Sequence, residues 1–511
     1  MEAATFVLFG ATGDLAKRKI FPALYNLYID GKMPSAFSII GMGRKPTEDT
    51  QFQQAVRQSL DSFSRRNGPS QHIDRFLESI RYHALDVTRP EDFKRLLELV
   101  TKREQELDIP QNRMFYLSVA PEYFEMIAQN IQQSGLGDTE GWKRLIIEKP
   151  FGHDLASARE LNEQLSKSFA EDEIYRIDHY LGKSMVQNLE VLEMKNPVLH
   201  ALWSNRYINS VQITASEIVG LEGRAGYYDQ AGAIRDMFQN HMLQLLMMVA
   251  MHLPEGSTAE DIRYRKKKVL QALRPLRTDE VVSSVVRGQY ETGTINGRNV
   301  VSYTEEPGIA VSSRNDTFIA ARLWIDDTLW NEVPFYIRTG KRMKEKSTRI
   351  VIEFKDPMGQ HDNSGPSASE RPNLLVIEIS PNERITFQLN SKDVAKGGGI
   401  EPIHVDYTAT QEIPEAYENL IHDAFRGDAS FFAHWDEVEL AWQWVQPVLE
   451  AFAENQVPLH PYTAGSYGPS ASDELVRQDG NTWWLDKEAA LLAAAQDEPA
   501  GEAEEPEVSV V

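Results

Sequence analysis

The stretch Thr5-Phe6-Val7-Leu8-Phe9-Gly10-Ala11-Thr12-Gly13-Asp14-Leu15-Ala16 decides how the chain folds. Its first five residues are an apolar, β-prone run that stops at a glycine, the pattern of a buried strand. The spacing GxxGxxA follows at once, and Asp14–Ile20 reads as a short helical piece. Small residues at a strand-to-helix turn permit a tight bend and let backbone N–H groups approach a pyrophosphate at the positive helix end. Gly10, Ala11, Thr12, Gly13, Asp14 and Leu15 are therefore coenzyme-binding candidates. No Gly-Lys-Ser/Thr follows, which argues against a nucleoside-triphosphate loop.

Such a turn carries meaning only where strands and helices alternate around it. Pro22 suits the first turn of a helix that Gly31 closes, and Phe37–Ile40 is the next strand. Glu91–Gln105 spaces Phe93, Leu96, Leu97 and Val100 along one helical face. Met114–Val119 and Arg144–Ile147 are further short strands. This alternation predicts a Rossmann-like doubly wound parallel sheet over residues 1–178. Beyond it, Val211–Thr214, Arg287–Tyr290, Phe318–Leu323, Pro334–Arg338, Arg349–Phe354, Leu374–Ile379 and Ile385–Leu389 are strand candidates with few helices between them. They predict a larger C-terminal α+β domain, 179–487, built on a mainly antiparallel sheet. Ala233–Met251 is its long helix, with later helices at Ala416–Phe425 and Asp436–Ala453. Residues 488–511 carry seven acids and no base, too polar to pack, and read as a disordered acidic tail.

Composition narrows the function. The 511 residues include 53 Lys+Arg against 76 Asp+Glu, a net charge of −23, so a nucleic-acid backbone would repel the chain. There is no cysteine, which excludes disulfides, thiol nucleophiles and Cys-ligated metals. The richest apolar run, Met242–Met251, is about half a membrane span. Met1-Glu2-Ala3-Ala4 opens with no basic region, so the expectation is a cytoplasmic enzyme without a membrane partner.

The second strand bears on coenzyme choice. An NAD site usually places an acid at its end for the ribose hydroxyls. Residues 31–47 contain no Asp or Glu, and Arg44-Lys45 follow Gly43. A guanidinium there would pair with a 2′-phosphate and stack on adenine, so the reading leans to NADP, with NAD as the alternative. Lys149, in Glu148-Lys149-Pro150, stands at the carboxyl end of a parallel strand, where such sheets bind ligands, and Pro150 is a candidate cis proline. Arg176-Ile177-Asp178-His179-Tyr180-Leu181-Gly182-Lys183 gathers imidazole, phenol and ammonium donors suited to a phosphate dianion. His241 sits on an apolar helical face, where spacing alone fits a core histidine as well as a base. Asp236 lies five residues earlier, about 140° round an α-helix, so these two need not meet. Asp178 is a candidate orienting partner for His241 supplied from elsewhere.

Taken together, these residues resemble the glucose-6-phosphate dehydrogenase family, in its bacterial type. The matching stretches are residues 10–28, LSVAP (117–121), EKPFG (148–152), RIDHYLGK (176–183), 223–241, PFYIRTGKRM (334–343), AYENL (416–420), DEVELAW (436–442) and GSYGP (465–469). The resemblance implies oxidation of glucose 6-phosphate at C1 to 6-phosphogluconolactone by NADP, with His241 as general base, Asp178 as its orienting carboxylate and Lys149 beside the reacting centre. It implies a phosphate clamp of His179, Tyr180 and Lys183, sugar ligands Glu217 and Asp236, and Lys19, Lys149, Lys341 and Lys346 lining the substrate site. Ala120 and Pro121 join the coenzyme track with Lys149. It further implies a homodimer or homotetramer and no metal. Ser184 departs from the family's usual Glu, and no additional structural NADP site is matched. A glucose–fructose oxidoreductase relative shares a Rossmann domain and an EKP lysine but lacks RIDHYLGK and the IRD…QNH block. A non-catalytic coenzyme-binding regulator is the other alternative.

Overall fold

The computed structural model describes residues 1–66, 68, 70–254, 256–356, 371–393, 399–409, 412–484 and 486. The acidic tail read at 488–511 lies outside them. β1 (Ala4–Phe9) is buried at every position. It pairs in parallel with β2 (Phe37–Gly43) on one side and with β4 (Arg113–Leu117) on the other. With β3 (Ile80–Ala84), β5 (Lys143–Glu148) and β6 (Ile174–Ile177) it forms a parallel sheet of order β3-β2-β1-β4-β5-β6. Alternate side chains of β1 enter opposite layers: Val7 and Phe9 pack with Phe93, Leu96 and Phe124, whereas Phe6 and Leu8 pack with Leu24, Tyr25 and Phe52. A strand covered on both faces must be apolar throughout, which is why TFVLF does not alternate. β3 and β6 are strands beyond those expected, short and at the two sheet edges.

Turn and sheet are built together. Gly10 has φ +80°, and a Cβ there would stand 2.0 Å from the Ser118 carbonyl oxygen. Only glycine permits that conformation and the close passage of β1's end against β4's. The short helical piece is real but π-wound, spanning Ala16–Ile20.

The second sheet has nine strands. They are β7 (Ile208–Ser216), β8 (Val285–Glu291), β11 (Phe318–Leu323), β12 (Phe335–Gly340), β13 (Ser347–Phe354), β14 (Leu374–Ser380), β15 (Arg384–Asp393), β16 (Gly399–Thr408) and β17 (Leu459–Thr463). Their order is β16-β15-β14-β13-β7-β12-β11-β8-β17, and β9 (Gly293–Ile295) and β10 (Arg298–Val300) form a separate hairpin. Only β7–β12 and β8–β17 are parallel pairs, so the mainly antiparallel expectation agrees. β16 and β17 were not anticipated.

The expected single helix Ala233–Met251 is three pieces: α-helix Ala225–Ala233, π-helix Ile234–Met242 and α-helix Leu243–Ala250. Gly232 breaks the first at φ 65°, where a Cβ would meet Asp316 Oδ1 at 2.6 Å. Asp316 then caps the new segment, its Oδ2 accepting from the Ile234 N–H at 2.9 Å. Ile234, Phe238, Met242, Leu245 and Val249 pack with Val211, Ile213, Ile337 and Ile350 of the sheet. Helix Ala416–Arg426 crosses back to the first sheet, and its Leu420, Ile421 and Phe425 share a core with β1. Among the described residues no helix is long and apolar enough to cross a membrane.

One ion pair ties the parallel sheet to its helical layer. Arg113 of β4, 1% exposed, donates to both oxygens of Glu104 at 2.8 Å and to the Leu136 carbonyl at 2.8 Å. Removing one partner of such a pair strands a buried charge. Glu104→Gln should cost about 3–5 kcal/mol, read as a lower urea midpoint with an unchanged slope.

Candidate active site

β6 ends at Ile177, and the chain turns tightly at Asp178 just after it: Leu181 N–H donates to the Asp178 carbonyl, and Lys183 N–H to that of Tyr180. The turn leaves the Asp178 carboxylate pointing at the second sheet's helices. His241 Nδ1 meets its Oδ1 at 2.5 Å, and the Tyr180 N–H donates to the same oxygen at 2.9 Å. The two residues are 63 apart in sequence and are 0% and 2% exposed. His241 Nε2 is buried with no hydrogen-bond partner, as is Asp178 Oδ2. The Tyr180 ring stacks on the imidazole at 4.3 Å, and the His179 ring stands against it edge-on at 4.5 Å.

The electrostatics agree with the contacts. Burial works to raise the Asp178 carboxyl, but the neighbouring His241 and their hydrogen bond outweigh it and hold the group at about 2. Burial lowers the His241 pKa, and the Lys149 charge adds to that, against the opposing pull of Asp178. The pair therefore rests as a carboxylate and a neutral imidazole. His179 is pushed well down by burial and by His241.

Lys149 follows β5, and its peptide bond to Pro150 is cis. Its Nζ donates to the Asp236 carbonyl at 2.6 Å and lies 3.4 Å from Asp236 Oδ1. Asp236 is held below the usual carboxylate range: burial opposes this, but Lys149, Lys341 and Arg224 prevail. Asp236 and His241 each feel the other's charge. The segment is π-wound, and a π-helix closes i→i+5 bonds and brings residues five apart nearer to one face than α-helical spacing does, yet the two side chains make no hydrogen bond or ion pair with each other. Lys341 Nζ donates to Glu217 Oε2 at 2.7 Å. The Lys183 ammonium lies 4.6 Å from the Tyr180 ring centre, and its pKa is lowered by burial and then by nearby Lys346. Lys19 stands apart from this group, with its ammonium 2.7 Å from both oxygens of Glu415.

Three residues without an assigned role complete the surroundings. Glu148 accepts from Tyr116 at 2.5 Å, and a hydrogen bond to Tyr417 also stabilises its charged form. Burial nevertheless pushes its carboxyl up to about 7. In a strand, neighbouring side chains face opposite ways, so a role for Lys149 could have prompted the question of what Glu148 meets. Nothing local could have named Tyr417.

The coenzyme candidates lie at the carboxyl ends of adjacent strands: residues 10–15 after β1, Arg44 after β2, Ala120 and Pro121 after β4, and Lys149 after β5. Strand order reverses between β1 and β4, the switch point where such sheets bind dinucleotides. Thr12, Asp14, Arg44 and Ala120 are exposed there, and a Cβ on Gly43 would lie 3.1 Å from Thr12 Cγ2, so Arg44 follows directly beside the turn. These residues fit a dinucleotide with a phosphorylated ribose.

A glycine turn at the switch point of a parallel sheet, together with a buried acid–imidazole pair and lysines, points to a dinucleotide-dependent oxidoreductase. Residues 7–188 match the family model described as glucose-6-phosphate dehydrogenase, NAD binding domain, and residues 190–484 match the one for that enzyme's C-terminal domain. The glucose-6-phosphate 1-dehydrogenase of Bacillus subtilis is 48% identical over 486 residues, covering 94% of this chain and 98% of the relative. That of Leuconostoc mesenteroides is 40% identical over 487 residues, covering 94% and 99%. A solved glucose-6-phosphate dehydrogenase in complex with its substrate glucose 6-phosphate superposes with a TM-score of 0.85 at 35% identity, covering 94% of this chain and 98% of that one. The Mycobacterium avium enzyme gives 0.80 at 33%, covering 95% and 98%. The chain belongs to the glucose-6-phosphate dehydrogenase family, an oxidoreductase family with a Rossmann-type NAD(P)-binding domain.

The site makes a spectroscopic prediction. In ¹⁵N NMR, His241 should titrate below the ordinary 6.5. Asp178→Asn removes the charge that raises it, so the midpoint should move further down.

Proposed function

We propose that this chain oxidises glucose 6-phosphate at C1 to 6-phosphogluconolactone, with His241 as the general base and Asp178 as the carboxylate that orients it. The observation that carries this is His241 itself: Nδ1 is spent on Asp178, while Nε2 is buried, unpaired and neutral. NADP supplies the hydride acceptor when bound. As C1 is oxidised, His241 Nε2 takes the proton of its hydroxyl. Asp178 fixes the tautomer that presents Nε2 and stabilises the imidazolium that forms. Such base catalysis is typically worth ~10²–10⁴ in rate, and orientation of the sugar supplies much of the remainder. His179, Tyr180 and Lys183 serve as the phosphate clamp, with Lys346 adding charge beside Lys183. Glu217 and Asp236, each held by a lysine, accept from the sugar hydroxyls, and Lys149 holds the junction of sugar and coenzyme. Lys19 acts at the margin of the site, where it must exchange Glu415 for substrate.

The coenzyme track is residues 10–15, Arg44, Ala120, Pro121 and Lys149, with Arg44 placed for a 2′-phosphate and NAD as a second coenzyme. The domains divide at 178/179, and 488–511 forms an acidic tail. The enzyme works in the cytoplasm as a homodimer or homotetramer. Exposed Ile403, Val405 and Tyr407, alternating along the sheet-edge strand β16, support an assembling surface.

His241→Asn should lower kcat by about 10²–10⁴ while the glucose 6-phosphate dissociation constant stays near its original value; retained turnover would remove the base. Arg44→Ala should raise KM for NADP at least about tenfold more than KM for NAD, the loss of one charge-assisted phosphate contact. Equal effects in initial-rate assays would dismiss the 2′-phosphate role.

A further inference from the structure

The two helices that leave the site meet again at their far ends. Helix Ser184–Met194 begins next to Lys183 and reaches Glu193, while Leu243–Ala250 continues from the His241 segment and is followed by His252. The short helix Pro197–Leu202 brings His200 to the same point. Glu193 Oε1 lies 2.8 Å from His200 Nδ1 and 2.7 Å from His252 Nδ1, and the two rings are 4.6 Å apart. Glu193 is 3% exposed, whereas the His200 side chain is 47% exposed, so the cluster has a buried floor and an open side. Among the described residues, these two imidazoles are the groups within ion-pair reach of that carboxylate.

The two rings are not equivalent. His200 Nδ1 is hydrogen-bonded to Glu193. His252 Nδ1, although 2.7 Å from the same oxygen, is buried and makes no hydrogen bond. A buried ring nitrogen left unspent beside a carboxylate and a second ring nitrogen asks for a shared electrophile.

We infer that Glu193, His200 and His252 form a binding site for a divalent transition-metal ion, zinc in the first instance. Two imidazole nitrogens and one carboxylate oxygen are a donor set zinc accepts, with water in the fourth position on the open His200 side. Magnesium and calcium prefer all-oxygen surroundings. The three donor atoms lie within 4.8 Å of one another. Ligands at about 2.0–2.1 Å from a tetrahedral ion stand about 3.3 Å apart, so each nitrogen needs to withdraw by only about half an ångström. The Leu243–Ala250 helix, about 12 Å long, separates this point from the His241 segment. The ion therefore pins the far ends of the helices that follow Lys183 and the His241 segment without touching either residue.

The test is Zn²⁺ titration of the full-length chain against a chromophoric chelator, paired with visible spectroscopy of added Co²⁺. The wild-type chain should take up one equivalent that His200→Asn/His252→Asn lacks, its affinity falling by at least about 100-fold, beyond the usual cost of disturbing an outer partner. The tetrahedral Co²⁺ bands should vanish with it. Retained kcat/KM for glucose 6-phosphate verifies that the double variant is folded; should it fail to fold, Glu193→Gln carries the same expectation in a side chain of equal size. No uptake by the wild type, or an undiminished equivalent in the folded variant, overturns the assignment.

Discussion

One hydrogen bond joins the two halves of this molecule at the point that matters. The Asp178 carboxylate follows the last strand of the parallel sheet, and His241 rides on the helical segment that covers the second sheet. Neither residue is placed by its neighbours in sequence. Their meeting depends on the tight turn after β6, on the break at Gly232 that re-aims the helix, and on the Asp316 cap that fixes where the new segment starts. A shift of about an ångström in any of these would leave a buried charge facing a buried imidazole without contact, a costly state that the surrounding packing is built to prevent. The Tyr180 amide, donating to the same oxygen, keeps the carboxylate from turning away.

Around that bond the cations are arranged so that none competes for it. Lys149 spends its protons on Asp236, and Lys341 on Glu217. Lys149 is thereby immobilised at a distance that depresses the imidazole's basicity without ion-pairing with Asp178. The lysines also keep Asp236 charged before any ligand arrives, so no proton has to be moved there at that moment.

Much of this was legible in the chain and some was not, for identifiable reasons. The parallel sheet announced itself because a strand buried on both faces must be apolar throughout, and the turn after β1 because only glycine tolerates its backbone. The edge strand β3 carries less burial and so less signal, β6 is buried throughout but only four residues long, and β16 and β17 lie at the exposed margins of the second sheet. The π-winding of Ile234–Met242 left no mark in residue types, so α-helical spacing overstated the angle between Asp236 and His241. Lys19 was assigned by resemblance, yet its contact is with Glu415, nearly 400 positions away. Tyr417 closing on Glu148 is equally a product of tertiary structure: the helix that carries it returns from late in the chain to complete the first domain's core.

The imidazole has no solvent-accessible surface, and the rings of His179 and Tyr180 lie directly against it. On the proposed reading, in which the same two side chains hold the phosphate, recognition of the anion and deprotonation at C1 fall to adjoining groups. A displacement of either ring then alters both at once.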